Sequence, residues 1–389
     1  MTTKMASAEQ VLKMSETFKL LHQHAELSNH EHWTTEFIKQ KLTAAGIKVL
    51  DYGLKTGVVA EIYGTGDGIK DQKAPKTIAL RADIDGLPVK EKTGLAYHSL
   101  TAGVAHACGH DFHTAALLGA AEVLKQKQAE LNGNVRLVFE PGEENHTGAK
   151  MMIKAGVLAG VAAIFGMHNM PFIPCGTVAV KPKALMASND NFQVVVTGIS
   201  SHAAMPQTGK DPIVAAANMI TALQTIISRS LSPFSTDIVT IGAIHGGQVN
   251  NVIPAEVTFK GTIRTFSTQS RKLIKRRFTT IIKQIAAAYD QTAAISWDRG
   301  PSPVNNDPHV TELVKQTAAQ FMKVIPAEPT CADDDFATYE EVVPGCYAFI
   351  GSQGSSNLHH DDLIVDPAGL KDAAELHFQV AKRLLTEQI

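Results

Sequence analysis

From about Asn191 the chain runs strand "NFQVVVTGI", helix "PIVAAANMITALQTIIS", strand "DIVTIGAIHGG", strand "AEVTFKGTIRTF", helix "SRKLIKRRFTTIIKQIAAAY" and strand "AAISWD". Apolar residues that alternate mark the strands, and apolar residues three and four apart mark the helices. A βαββαβ succession of about 110 residues is the ferredoxin-like arrangement and is long enough to be a domain by itself. The segments on either side follow a different rhythm, so they must fold together across it.

Before the insertion come two helices, "AEQVLKMSETFKLLHQHAEL" and "HWTTEFIKQKLTAAG", the second stopped by Gly46. Short apolar strands then alternate with helices: "KVLDYG", "GVVAEIYG", "TIALRADIDGLPV", a helix from about Thr114 to Lys127, "NVRLVFEPGEE", a helix near "GAKMMIKAG", and "AAIFGMHN". After "RGPSPVNNDP" the alternation resumes with helix "HVTELVKQTAAQFM", strand "CYAFIG" and helix "AGLKDAAELHFQVAKRLL". Strands apolar throughout and separated by helices imply a mixed or parallel sheet covered on both faces. The expected fold is α/β: one larger domain made of residues 1–185 and 300–389, with the βαββαβ domain inserted at 186–299.

The length of 389 residues exceeds what one core usually supports, in agreement with two domains. With 44% hydrophobic and 19% charged residues, the chain has the balance of a globular protein with a large core. Lys plus Arg is 36 and Asp plus Glu 38, a net charge of −2, which excludes the basic footprint of a nucleic-acid binder. The start, "MTTKMASAEQVLKMSETF", lacks the apolar run of a signal peptide, and no window reaches the ~18 apolar residues of a membrane span. A cytoplasmic protein without a membrane partner is expected. The four cysteines, Cys108, Cys175, Cys331 and Cys346, are too scattered for a disulfide framework and are expected as thiols.

Residues of metal-ligand type gather just after predicted strands: Asp83 and Asp85 in "RADIDGLP", Glu143 and Glu144 in "FEPGEE", His168 in "FGMHN" and His359 in "NLHHDD". Ligands of α/β sheets collect at strand ends, so these segments could share one crevice. Cys108 and His110 lie two apart in "HACGHDFH", where a loop enters a helix, and a thiolate with imidazoles and carboxylates suits zinc, manganese, cobalt or nickel. A Cys-x-His read alone fits a buried small residue beside loop histidines better than it fits a metal site. The adjacent glutamates add a division of labour, one coordinating and the other taking a proton from water.

The set "RADIDGLP", "HACGHDFHTAALLGAA", "EPGEENHTGA", "MHN", "GISSHAAMPQTGKDPI", "GGQVNNVIPAEVTFKGTIRTF" and "NLHHDD" resembles, in this order and over nearly the whole chain, the co-catalytic metallo-amidohydrolases. Their similar branch holds hippurate hydrolases, bacterial aminoacylases, N-acetyldiaminopimelate deacetylases and plant auxin-conjugate hydrolases. The resemblance implies a metallopeptidase-like catalytic domain of mixed sheet with an inserted lid and dimerisation domain. It implies two divalent ions per subunit, with Cys108 bridging them, His110 and His168 on one, and Glu144 and His359 on the other. Glu143 is then the general base. Asp83, Asp85, Asp111 and His113 support the ligands. In the lid, His202 reaches a neighbouring active site to stabilise the oxyanion, and Asn251 and Arg264 contact the substrate carboxylate. His106 receives no role. The family most often has "QPAEE" where this chain has "EPGEE", so Glu140 adds a carboxylate and Gly142 loosens the turn. Either a changed metal preference or a changed Glu143 pKa could follow.

The function expected is hydrolysis of the amide bond of N-acyl-L-amino acids, N-acetyl or N-benzoyl in type, by a homodimer or higher homo-oligomer assembled through the lid. Three rivals stand beside it: a dipeptidase or carboxypeptidase on the same scaffold, a metal- or conjugate-binding protein without turnover, and a thiol enzyme with Cys108 as nucleophile.

Overall fold

The computed structural model describes residues 7–69 and 75–389; the first residues of the N-terminal segment read above lie outside them. The chain opens with helices Ala8–Gln23 (α1) and His32–Ala44 (α2) and strands Lys48–Leu50 (β1), Val58–Ile62 (β2) and Thr77–Asp83 (β3). His110–Gln126 (α3), Asn134–Glu140 (β4), Gly148–Lys154 (α4), Val161–Met170 (β5), Thr177–Val180 (β6) and Lys183–Met186 (β7) follow. The middle holds Ser188–Thr197 (β8), Ser201–His202 (β9), Pro212–Thr225 (α5), Ile238–Gly246 (β10), Val252–Ile253 (β11), Glu256–Thr265 (β12), Thr268–Ala288 (α6) and Thr292–Arg299 (β13). Val304–Asn306 (β14), Pro308–Ala318 (α7), Lys323–Pro326 (β15), Phe336–Glu340 (α8), Gly345–Gly351 (β16) and Leu370–Thr386 (α9) complete the order.

Contacts divide the chain into two compact units: Met1–Leu185 with Asn305–Glu328 and Asp334–Ile389, and Met186–Val304 with Pro329–Asp333. The first unit is built on a sheet of eight strands in the order β1-β2-β4-β3-β5-β16-β6-β15. Its centre is parallel, β3 pairing with both β4 and β5 and β5 with β16, whereas β1, β2 and β6 join antiparallel neighbours. Every residue of β2, β3 and β16 is buried, which is why these strands read as unbroken apolar runs. The helices pack through Phe18 of α1, Phe112 and Leu117 of α3 and Phe378 of α9 onto Phe139 and Phe165 of the sheet. Ser7 caps α1 by the reciprocal bonds of a capping box with Gln10. The four-residue strands β6 and β15 escaped the sequence reading because runs that short carry no periodicity.

The second unit has the antiparallel sheet order β10-β12-β8-β13, with the first and third of its long strands in the middle, as the βαββαβ reading requires. Helices α5 and α6 close its core around Phe192, Phe259, Phe278 and Ile282. The small pair β9 and β11 lies outside that sheet. Among the described residues no helix is long and apolar enough to cross a membrane.

Candidate metal centre

The parallel neighbours β4, β3 and β5 end on one edge of the large sheet, and each leaves polar side chains there. Asp83 closes β3 and Asp85 follows it, Glu143 and Glu144 follow the Pro-Gly turn after β4, and His168 lies near the end of β5. Helix α3 begins at His110, directly after Gly109, whose φ of +92° belongs to the left-handed region. A Cβ on Gly109 would stand 2.2 Å from Asn169 Oδ1, so only glycine lets Cys108 and His110 flank this turn. His359 comes from the loop after β16 with φ +67°, held by its N–H donating to the Ala107 carbonyl at 2.6 Å.

These segments bring Cys108, His110 and His168 into one group and Cys108, Glu144 and His359 into another, the ligand atoms of each lying within 4.8 Å of one another. Cys108 Sγ is 3.4 Å from His168 Nε2, and Glu144 Oε1 is 3.4 Å from His359 Nε2 and 3.8 Å from His110 Nε2. Donors bound at about 2.0 to 2.3 Å to one tetrahedral ion stand roughly 3.3 to 3.8 Å apart, so the spacing suits a divalent cation. His110 Nε2 and Glu144 Oε1 are buried without a hydrogen bond, an arrangement that costs about 1 to 3 kcal/mol per group unless a cation satisfies it. The donors therefore fit a divalent metal, and Cys108 belongs to both groups.

A layer of hydrogen bonds sets the tautomers. His168 Nδ1 donates to the Asn169 carbonyl at 2.7 Å, which leaves Nε2 with its lone pair toward Cys108. His110 Nδ1 donates to Asp85 Oδ1 at 3.1 Å, and Asp85 Oδ2 accepts from Ser28 Oγ at 2.7 Å and from the Glu144 N–H at 3.1 Å. His113 Nδ1 donates to Asp83 Oδ1 at 2.5 Å, while its Nε2 accepts from the Asn169 N–H at 2.8 Å. Both ring nitrogens of His113 are thereby engaged, so it supports rather than coordinates.

Burial, with Asp334 and Glu144 nearby, pushes the Glu143 carboxyl well above the usual carboxylate range. Burial and then the Glu144, Glu143 and Asp83 carboxylates push the Cys108 thiol up as well. Burial keeps His168 neutral, the form in which imidazole coordinates.

Asp111, the second residue of α3, accepts at Oδ2 from His22 Nδ1 of α1 at 2.6 Å. Glu140 accepts at Oε2 from Arg81 Nε at 2.7 Å. His106 is buried with both ring nitrogens unpaired, and burial lowers it to about 4, so it is a neutral ring.

Sequence reasoning missed the residues behind Glu143. Arg81, fully buried, donates to Glu140, to Asp83 at 2.5 Å, to Tyr347 at 3.2 Å and to Asp335 at 3.2 Å, with Asp334 at 3.4 Å. Glu143, Asp334 and Asp335 form a further close group of donors. The run "DDDF" was the available signal, although three aspartates ordinarily mark a solvated loop.

In the second unit, His202 and Asn251 meet on one ladder: His202 pairs with Val252, and the Asn251 carbonyl accepts from the Ala203 N–H at 3.0 Å. His202 is exposed and its Nδ1 accepts from the Ala204 N–H at 3.0 Å. Arg264 lies apart from them near the end of β12, opposite Asn189, and its guanidinium donates to Asp333.

Residues 79–383 match the profile of Peptidase family M20/M25/M40. The chain belongs to this family. The match runs through all three segments of the first unit, though not to the ends of the first and last, and covers all of the second unit. The chain is 46% identical to the N-acetyl-L-cysteine deacetylase of Bacillus subtilis, covering 94% of this chain and 86% of the relative. It is 40% identical to an N-acetylcysteine deacetylase of the same organism, over 93% of this chain and 94% of the relative. A solved Bacillus subtilis structure described as a dinuclear metal binding peptidase of the M20 family superposes with a TM-score of 0.88 at 37% identity, over 98% of this chain and 99% of the other.

Proposed function

We propose that this M20/M25/M40 member hydrolyses the amide bond of small N-acyl-L-amino acids with two divalent ions, drawn from zinc, manganese, cobalt or nickel. The observation that carries the reading is Cys108 shared by two donor groups with Glu143 beside them. Cys108 would bridge, His110 and His168 would hold one ion, and Glu144 and His359 the other. When bound, such ions supply Lewis acidity to water and to the substrate carbonyl. Similarity to N-acetylcysteine deacetylases supports an acetyl group as the acyl part.

Glu143 accepts a proton from the attacking water, whose oxygen adds to the carbonyl carbon, and returns it to the amide nitrogen as the C–N bond breaks. His202 donates to the oxyanion, Asn251 and Arg264 take the substrate carboxylate, and the second unit serves as lid and as contact for a homodimer or higher homo-oligomer. Asp83 and Asp85 fix His113 and His110.

Glu143→Gln should leave the metal content per chain unchanged while turnover of N-acetyl-L-cysteine falls by about 10²- to 10⁴-fold. Near-normal turnover would remove Glu143 from the base role, and activity that survives thorough chelation would remove the metal mechanism. Mixing Glu143→Gln with His202→Ala subunits restores activity if the site is shared between subunits.

A further inference from the structure

After Glu328 the chain leaves the first unit for five residues, Pro329–Asp333, and returns at Asp334. This short excursion is pinned at its start, because the Ala187 N–H donates to the Thr330 carbonyl at 3.1 Å and the Ala332 carbonyl at 3.0 Å. Asp333 is its sole charged residue. The carboxylate of Asp333 lies over a register pair of the inserted sheet, Asn189 of β8 and Arg264 of β12. Asn189 Nδ2 approaches both of its oxygens, at 3.4 and 3.3 Å, and Arg264 Nη1 donates to Oδ1 at 2.5 Å. Asp333 is therefore fixed from two sides before any ligand arrives.

The contact uses one nitrogen of the guanidinium. Among the described residues the Nε and Nη2 atoms of Arg264 make no hydrogen bond, and the side chain retains 23% of its exposure. A guanidinium held at one corner keeps its other edge, Nε with Nη2, for the two parallel bonds that a carboxylate accepts. A long arginine side chain loses much rotamer freedom when it is fixed, and a partner that fixes it beforehand removes that loss from the binding step.

We infer that Asp333 is a positioning residue for substrate selection: braced by Asn189, it sets Arg264 as a one-edge receptor for the α-carboxylate of the N-acyl amino acid. The inference rests on the reading of Arg264 as the carboxylate contact. Asp333 acts through Arg264 and touches no reacting atom, so its loss appears in substrate affinity and leaves the chemical step alone.

The test compares N-acetyl-L-cysteine with N-acetyl-L-cysteinamide, which lacks the carboxylate, through the ratio of their kcat/KM values. Asp333→Ala should lower that ratio about tenfold, the equivalent of one charge-assisted hydrogen bond, through a higher KM for the acid with kcat within about twofold. Asp333→Asn, which keeps the acceptor oxygen and the shape, should recover most of the ratio, and thermal unfolding of both variants checks their fold. Arg264→Ala should lower the ratio further, and the double variant should fall no lower than Arg264→Ala alone. A wild-type ratio in Asp333→Ala beside a collapsed ratio in Arg264→Ala overturns the inference and spares the Arg264 reading. A ratio that rises in Asp333→Ala makes Asp333 a competitor of the substrate and overturns it too. An unchanged ratio in Arg264→Ala removes both, and turnover of neither compound by the wild type removes the amidohydrolase reading itself.

Discussion

Arg81 and Arg264 each lie on a strand and each face aspartates of the run Asp333–Asp335, but their surroundings are opposite. Arg81 is sealed in the first unit against Asp83, Glu140, Asp334 and Asp335, with all of its donors engaged by carboxylates and Tyr347. Arg264 is half-buried in the second unit and engages one carboxylate through one nitrogen. A guanidinium with no spare donor holds neighbours in place. One with a spare edge can receive a ligand. Neighbouring positions of one acidic tripeptide thus pair with a fully engaged arginine in one unit and with a partly engaged arginine in the other.

The largest effect that would test this contrast is Arg81→Met. It leaves four buried carboxylates without their cation, and removing one partner of such an assembly costs about 3 to 5 kcal/mol. Urea unfolding should show that loss, and a variant as stable as the wild type would end the architectural role.

His22 offers a titratable counterpart to Arg81, because it is buried between Asp111 at 2.6 Å and Glu91 at 3.3 Å. Burial alone would lower it, but the hydrogen bonds to Asp111 and Glu91 raise it to about 10. The folded chain therefore holds this proton more tightly than the unfolded one, so its stabilisation is complete below about pH 6.5 and disappears as pH rises through 10. His22→Gln should cost about 2 kcal/mol at pH 6, as for hydrogen bonds to charged groups, and should flatten the fall in melting temperature between pH 7 and 10. An equally steep fall in the variant would show that the stabilisation lies elsewhere.

The smallest effect is expected from Glu140→Gln. One cation faces four carboxylates around Arg81, and burial together with Glu140 pushes the Asp335 carboxyl well above its ordinary range. A raised carboxyl contributes stability at acid pH that is lost as pH rises above its unfolded value. Removing the Glu140 charge relieves part of that loss, so melting temperatures should match the wild type at pH 5 and exceed it at pH 8 by the equivalent of about 1 kcal/mol. A lower value at pH 8 would mean that the Arg81 bond outweighs the relief.

The fold was largely legible because its central strands are buried on both faces and its inserted unit alternates on one. The donor set was legible because Cys108, His110, Glu143, Glu144, His168 and His359 each follow a strand or open a helix. The Arg81 assembly was not, since its members span residues 81 to 347 and carry charges that ordinarily sit in water. Nothing in the spacing of Asp111 showed that the first turn of α3 directs it toward α1. Glu140 read as a change to the metal preference or to the Glu143 pKa, and nothing in the sequence paired it with Arg81.

Strand β16 lies between β5 and β6 in the sheet, although more than 160 residues separate it from either in the chain. On the ribosome, the long strands and helices of the second unit all emerge before this central strand exists, so that unit can collapse while the first remains split at its middle. His359 follows β16 by eight residues and supplies the last of the donors. A nascent chain thus cannot close its second donor group, Cys108 with Glu144 and His359, until about 250 residues after Cys108 have followed it.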